Sequence, residues 1–131
     1  MTTLTTLFRA LSDESRLRIL NLLFSWGELC VCDIEEVMGA TQTKVSRHLA
    51  YLRRARLVVQ RREGLWKLYS LAEPQDENHA RILEALASVL RSSPVATKDA
   101  QRLSGRIKRG CCTTFGIIKP RITPAILRHR N

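Results

Sequence analysis

Four cysteines are the residues of this sequence best suited to bind or react. Cys30 and Cys32 stand one residue apart in the stretch ELCVCDIEEVMG, and Cys111 and Cys112 are adjacent near the C-terminus. Because unbridged cysteine is among the most buried residue types, the first pair could also be two small core hydrophobes. The residue types alone therefore leave open whether the pair carries chemistry.

Two absences predict the compartment in which these thiols work. The N-terminus MTTLTTLFRALSDESR has no basic segment followed by an apolar stretch, so it does not resemble a secretory signal. The sequence contains no run of about 18 apolar residues, so no membrane span is predicted. We therefore expect a cytoplasmic, reducing location without a membrane partner. There cysteines act as thiols or metal ligands rather than as a disulfide framework.

An enzymatic role is not predicted. Cys-x-Cys differs from the Cys-x-x-Cys spacing of redox centres, and no βαβ pattern surrounds it. The sequence also suggests no Ser/His/Asp set and no catalytic carboxylate pair. We expect a binding protein without catalytic residues.

The charge distribution suggests an anionic partner and a division of the chain. The 131 residues carry a net charge of +10 and are 44% hydrophobic, as expected for one domain with an appendage. Residues 92–131 hold nine Lys/Arg against one acid, and residues 1–91 hold thirteen against eleven. We predict a domain over 1–91 and a basic, cysteine-containing extension over 92–131. The extension either adds salt-dependent affinity for phosphates or is solvated and partly disordered.

Helical apolar spacing and capping residues predict the order of the elements. An amphipathic helix over the first dozen residues is followed by a second that Ser12 caps and Gly27 ends. Asp33, with Glu36 at capping-box spacing, opens a third helix that Gly39 breaks after two turns. Thr41 caps the fourth helix, TQTKVSRHLAYLRRA.

The later part of the chain predicts a β-hairpin and a last helix. LVVQRR and LWKLYSL are rich in β-formers and flank Glu63-Gly64. Asp76 or Glu77 starts a helix that runs to Ser92-Ser93-Pro94, where we expect regular structure to stop. Pro120 and Pro124 argue against long helices beyond, although Thr97–Lys108 could form a turn or two.

These elements predict a mainly α fold with a small β-hairpin. A short helix, a glycine-containing turn and a longer helix are the outline of a helix-turn-helix. Followed by a hairpin, they make a winged helix-turn-helix.

The fourth helix presents groups that suit DNA. Val45, Leu49 and Leu52 form its inward stripe, and its N-terminal outer face is polar. Recognition helices read bases from their N-terminal residues, and Gln and Arg pair with adenine and guanine. We predict contacts with bases and phosphates from Gln42, Thr43, Lys44, Ser46 and Arg47.

The hairpin adds cations to the same segment. From Gln42 to Arg62 the sequence contains seven Lys/Arg and no acid. A plain solvated helix face would carry glutamates. We expect Arg61, Arg62 and Lys67 to touch the DNA backbone or the minor groove.

Four segments in this order resemble the ArsR/SmtB family of winged-helix metal-responsive repressors. They are FRALSDESRLRIL, ELCVCDI, TKVSRHLAYLRRARLV and REGLWKLYSL, within residues 4–90. The resemblance implies a homodimer, packed through the first and last helices, that occupies operator DNA and leaves when metal binds. ELCVCD resembles the site at which arsenic-responsive members bind arsenite or antimonite, As(III) or Sb(III).

Elementary chemistry agrees with that implication. Thiolates are the ligands that soft ions select, and the positive end of a helix dipole favours the thiolate form. Coordination at Cys30 and Cys32 would pull on the helix that supports the recognition helix. A small shift at such a junction can bias a two-state dimer.

One departure concerns the third ligand. Arsenic-responsive members place a further cysteine one turn into the helix, where this sequence reads Asp33-Ile34-Glu35-Glu36. We hypothesise that Cys111 or Cys112 completes the site, within a subunit or across the dimer. Alternatively a small-molecule thiol completes it and the tail cysteines form a second site, or Cys111 and Cys112 are inert.

Other functions stay open at this point. Glu35 or Glu36 could make a mixed sulfur–oxygen site for Zn(II) or Cd(II). Asp76, His79 and Glu84 are not at convincing spacing for a zinc site on the last helix. A thiol redox switch on the same scaffold, and a general RNA or nucleoid binder, are the remaining alternatives.

Overall fold

The computed structural model describes residues 1–110, which contain six helices and a three-stranded sheet. In chain order the elements are α1 (Thr2–Ala10), α2 (Glu14–Trp26), β1 (Glu28–Cys30), α3 (Val31–Met38), α4 (Gln42–Arg54), β2 (Val58–Glu63), β3 (Trp66–Leu71), α5 (Glu77–Leu90) and α6 (Pro94–Arg109). Every helix and strand predicted before residue 91 is present. Strand β1 and the full length of α6 were not predicted.

Side chains cap the starts of α2, α4, α5 and α6, and two of the predicted capping residues are corrected. Thr41 caps α4 as predicted, its side chain accepting a hydrogen bond from a first-turn N–H. Helix α2 begins after Asp13 rather than Ser12, because the Asp13 carboxylate accepts from a first-turn N–H at 3.0 Å. Helix α3 begins after Cys30, and Asp33 lies fully buried within its first turn instead of capping it.

Helices α3 and α4 form the predicted helix-turn-helix. The eight-residue α3 ends at Gly39, whose φ of 62° lies in the left-handed region that glycine adopts without steric cost. Val45, Leu49 and Leu52 are at most 1% exposed, so the inward stripe of α4 is confirmed. The opposite face of α4 is consequently turned to solvent.

Strands β2 and β3 form the predicted hairpin, and β1 joins it as a third antiparallel strand in the order β1-β3-β2. Cys30 lies opposite Leu68 in the ladder, and Glu28 lies opposite Ser70. Three residues are too few to show an alternating pattern, which is why the sequence did not reveal β1. The ladder ties the segment that carries Cys30 to the wing.

The chain after residue 91 differs from the expectation that regular structure stops there. Helix α6 is 16 residues long and packs against α2 and α3, burying Asp99 and Leu103. The expectation of a turn or two was wrong, because Pro120 and Pro124 lie beyond the helix and do not limit it. The division at residue 91 stays a prediction, since residues 111–131 lie outside the described part of the chain.

One hydrophobic core joins the helices to the sheet. Its largest fully buried side chains are Ile19, Leu20, Leu22, Leu23, Leu29, Ile34, Leu49, Leu52, Leu57 and Leu103. Outside the core, Leu4 and Phe8 on α1 and Val89 on α5 remain 39%, 53% and 65% exposed. Within residues 1–110, no helix combines the length and apolar character that crossing a bilayer requires.

Candidate DNA-binding surface and thiol site

The first two turns of α4 present the predicted polar face. Gln42, Thr43, Lys44 and Arg47 are exposed and Ser46 is half-buried. Because the inward stripe and the Thr41 cap fix the rotation and the start of α4, these side chains project from its N-terminal end. This arrangement suits base edges and phosphates.

The wing carries two further cations at its outer end. Arg62 and Lys67 are exposed and lie directly opposite each other on β2 and β3. Like charges at such a position destabilise a hairpin. An anionic partner would remove that cost, so the pair is a candidate contact for phosphate.

Arg61 has a different environment from its neighbour. Its guanidinium donates from Nε and Nη2 to both carboxylate oxygens of Glu28, at 2.8 and 2.9 Å, and from Nη1 to Glu63 at 2.5 Å. The hydrogen bond to Glu28, which is 3% exposed, raises the pKa of Arg61 further above its ordinary value. The charge that was expected to meet DNA is thus paired with two carboxylates of the protein itself, while the Arg61 side chain stays 30% exposed.

Cys30 and Cys32 lie side by side at the junction of β1 and α3. Their sulfur atoms are 2.9 Å apart, with Cys30 only 2% exposed and Cys32 half-buried. Cys30 is the N-cap of α3 and Cys32 is in its first turn, where backbone N–H groups favour negative charge. Two sulfurs at this distance can bind one soft ion with a small outward movement, since metal–sulfur bonds are about 2.3 Å long.

No complete metal site is assembled among residues 1–110. No three His, Cys, Asp or Glu side chains are grouped there so as to hold an ion. Neither the mixed site with Glu35 or Glu36 nor a zinc site at Asp76, His79 and Glu84 is therefore assembled among the described residues. Cys111 and Cys112 lie outside that part of the chain.

Three buried acids position this site, and the sequence reading missed all of them. Asp33 accepts two hydrogen bonds from Arg106, Glu28 pairs with Arg61, and Asp99 accepts from Arg18 Nε and Nη2 at 2.8 and 3.0 Å. These carboxylates are at most 3% exposed. Of these acids, only Asp99 stands out in the sequence, because it is the single acid among residues 92–131.

Comparisons with known proteins extend these observations. Residues 13–59 match the family profile described as "Bacterial regulatory protein, arsR family". The chain is 48% identical over 66 residues to the arsenical resistance operon repressor of Escherichia coli K12, covering 50% of this chain and 56% of that one. It is 37% identical over 84 residues to the arsenical resistance operon repressor of Bacillus subtilis 168, covering 64% and 78%. The chain belongs to the ArsR family.

The structure of this ArsR-family chain resembles a solved regulator. It superposes on the AntR antimony-specific transcriptional repressor with a TM-score of 0.56 and 30% identity, covering 67% of this chain and 77% of that one. The predicted winged helix is thereby confirmed. The family and its structural neighbours are transcriptional regulators, which agrees with the prediction that the protein is not an enzyme. The match to the E. coli relative spans about half of that protein's length.

Proposed function

We propose that this ArsR-family protein is a homodimeric repressor that releases operator DNA when Cys30 and Cys32 bind As(III) or Sb(III). The observation that carries the proposal is the sulfur pair, 2.9 Å apart at the start of the helix that supports α4. Relatives named as arsenical resistance repressors and the antimony-specific AntR support this choice of inducer. A DNA partner agrees with the predicted cytoplasmic location.

The chemistry of the inducer explains the ligand type. Arsenite, As(OH)₃, exchanges each hydroxyl for a thiolate sulfur, with one As–S bond formed and one water released per thiol. Trivalent arsenic favours three sulfurs, and soft ions select thiolates over oxygen ligands. Cys30 and Cys32 supply two, and we assign the third to Cys111 or Cys112.

The proposed DNA contacts combine base and phosphate recognition. Gln42 and Arg47 are assigned to base edges, and Thr43, Lys44 and Ser46 to phosphates and base edges. Arg62 and Lys67 contact the DNA backbone from the wing. Arg61 supports this surface through Glu28 and Glu63 rather than by direct contact. Two copies related by a two-fold axis would place their α4 helices in half-sites about 34 Å apart.

Release follows from the position of the ligands between two DNA-contacting elements. The segment containing Cys30 pairs with the wing strand β3, and Cys32 belongs to α3, which packs on α4. For about 100-fold release, the ion must prefer the form without DNA by about 2.8 kcal/mol. We propose that this preference comes from a movement of α3 relative to β1.

The test is DNA binding with and without arsenite, using a duplex that the protein itself selects from a random library. Arsenite should dissociate the wild type, while Cys30→Ser and Cys32→Ser should stay bound. Ser25→Ala, a substitution at another small side chain, is the control and should respond as the wild type does. Normal release of Cys30→Ser by arsenite would contradict the proposed function.

The same assay separates the alternative inducers and partners. Zn(II), Cd(II) and peroxide are added in parallel with arsenite, and release by one of them alone would replace the arsenic assignment. A repressor binds its selected duplex at least about 1,000-fold more tightly than random duplex. A ratio near one would instead indicate a general nucleic-acid binder.

A further inference from the structure

Three arginines gather around Tyr51 where the end of α1 meets the end of α4. The Cζ atom of Arg16 lies 4.0 Å from the centroid of the Tyr51 ring, and that of Arg54 lies 5.7 Å from it. Arg9, in the last turn of α1, lines the same small cavity as Tyr51 and Arg54. Because like charges repel one another, an anion at this corner would stabilise the arrangement.

The cavity at this corner has a volume of about 230 Å³. It is lined by Thr6 and Arg9 of α1 and by Tyr51, Arg54 and Ala55 at the end of α4. Its polar side chains are two guanidinium groups, which only donate hydrogen bonds, and two hydroxyls, which can donate as well. A phosphate group offers acceptor oxygens and negative charge, so this lining suits it chemically.

The protein itself does not neutralise the two arginines that line the cavity. Within the described residues 1–110, neither Arg9 nor Arg54 forms an ion pair with a carboxylate, and both are exposed. Arg16 instead donates to the carbonyl oxygens of Ala10 and Arg9, at 2.9 and 3.1 Å. These hydrogen bonds fix the end of α1 beside α4, so the two charges keep a defined spacing.

Arg54 also lies on the face of α4 that we assign to DNA. At 3.6 residues per turn, Thr43, Arg47 and Arg54 fall within about 40° of one another, on the side opposite the buried Leu52. The helical rise places Arg54 about 10 Å beyond Arg47 along the axis. Since the major groove is only about 12 Å wide, a long side chain that far from the base-reading turns reaches the phosphates at the edge of the groove.

We propose that the corner of α1 and α4 is a phosphate site, at which Arg9 and Arg54 bind one phosphate of the DNA backbone outside the bases read by the first turns of α4. The inference rests on the DNA binding of the proposed function. It adds a contact that neither the wing nor the N-terminal half of α4 supplies. Such a contact raises affinity and fixes the register of the protein on the duplex without reading sequence.

The experiment measures binding of the full chain to its selected duplex and to random duplex over a range of salt concentrations. Arg9→Gln/Arg54→Gln should weaken binding to both about tenfold and reduce the slope of log K against log salt by about one. Arg53→Gln is the matched control, because Arg53 is an exposed arginine of the same helical turn that does not line the cavity. It should change the affinity less than about twofold.

Wild-type affinity and salt slope in Arg9→Gln/Arg54→Gln, or an equal loss in Arg53→Gln, would overturn the inference. Both side chains of the double variant are exposed, and an unchanged urea midpoint confirms that it is folded. Arsenite should still release the double variant from DNA, because Cys30 and Cys32 are intact. The proposed function and this inference therefore fail independently.

A neutral phosphate analogue locates the contact on the duplex. Replacing single phosphates by methylphosphonate, which carries no charge, should weaken wild-type binding at a position outside the bases read by α4. The same replacement should not weaken Arg9→Gln/Arg54→Gln further. Equal responses of the two proteins at every position would overturn the inference. Binding of inorganic phosphate that the double variant loses, without any loss of DNA affinity, would assign the corner to a free phosphate compound and would also overturn it.

Discussion

Arg61 and Arg62 show how two adjacent arginines on one strand can have opposite roles. Successive side chains of a strand point to opposite faces. Arg61 points to Glu28 and forms a pair with a carboxylate that is 3% exposed, whereas Arg62 is exposed opposite Lys67. The same residue type therefore serves stability at one position and, in our proposal, DNA binding at the next.

Alanine substitutions at these two positions should separate the two roles. Arg61→Ala leaves Glu28 buried without its cation and should lower the free energy of unfolding by about 2 kcal/mol, measured by urea denaturation. Arg62→Ala removes the repulsion from Lys67, so it should not lower the free energy of unfolding, and it should reduce the slope of log K against log salt for DNA by about one. An unchanged salt slope in Arg62→Ala, with full DNA affinity, would remove the wing from the proposed interface.

His79 gives the fold a pH dependence on the acid side. Burial lowers the pKa of His79 below its ordinary value of 6.5, only partly opposed by Asp76, and its Nδ1 accepts a hydrogen bond from the Gln75 N–H. The unfolded chain therefore takes up a proton near pH 6.5 that the folded chain does not. The part of the free energy of unfolding that His79 contributes should be fully present above pH 6.5. At lower pH it should decrease by at most about 1.4 kcal/mol per pH unit.

The measurement is urea denaturation between pH 7.5 and about 5, compared with His79→Gln. The variant should lose that part of the slope which comes from His79, whereas the rest of the slope remains in both proteins. Identical slopes in the two proteins would contradict this assignment.

Among the elements, α6 differs most from the sequence-based prediction. It lies within the residues expected to form the extension, and it contributes Leu103 to the core and Asp99 to a bidentate pair with Arg18. The hydrogen bond to Asp99 raises the pKa of Arg18. The three-helix contact among α2, α3 and α6 makes this helix part of the folded unit.

Leu103→Ala tests the contribution of α6 to stability. Truncation of a side chain that is 1% exposed should cost about 3 kcal/mol in the free energy of unfolding, measured by denaturant titration. Gln101→Ala, on the exposed face of the same helix, should change it by less than about 0.5 kcal/mol. Equal stabilities of the two variants would mean that α6 is detached in solution.

The elements that sequence predicted well are those with local signals. Thr41 caps α4 and Gly39 ends α3 because both depend on one side chain and the backbone beside it. Strand β1 and helix α6 depend on distant partners instead. Asp33 has the spacing of a capping residue, yet it is buried by Arg106, which lies 73 positions later. Asp33 and Asp99, which Arg106 and Arg18 pair with, carry a charge typical of a surface, so the pairing of each acid with its arginine could not be predicted.

The candidate site shows the same division between local and long-range information. The polar face of α4 and the sulfur pair follow from helix periodicity and from a two-residue spacing, and both are where the sequence placed them. The pairing of Arg61 required the unpredicted β1, since Glu28 reaches it only through the sheet. The assignment of Cys111 and Cys112 stays a prediction.

At the scale of the whole molecule, α1 and α5 leave an apolar surface without cover in one chain. Leu4, Phe8 and Val89 are all more than one third exposed. Leu4 and Phe8 lie one turn apart on α1, and neighbouring exposed apolar side chains typically mark an interface. The resemblance to ArsR/SmtB repressors assigns dimerisation to the same two helices, and we propose that the second copy covers this surface.

Phe8→Asp should convert the dimer to a monomer, because it places a carboxylate in the proposed apolar interface. Sedimentation or light scattering measures the mass, and DNA affinity should fall together with it. Leu65→Asp is the matched control for the mass measurement alone, since Leu65 is 99% exposed in the turn between β2 and β3 and belongs to neither α1 nor α5. A Phe8→Asp protein that keeps the mass of a dimer would place the interface elsewhere.

Cys30 is both the last residue of β1 and the N-cap of α3. This position affects which ions the proposed site would select. Its backbone is pinned by the sheet and its side chain by the core, so its sulfur has little room to follow an ion of a different radius. Adjustment to ionic size would fall on Cys32 and on the remaining ligand. If Cys30 and Cys32 hold the ion as proposed, the protein would bind thiophilic ions in an order set by how far Cys32 must move to reach each of them.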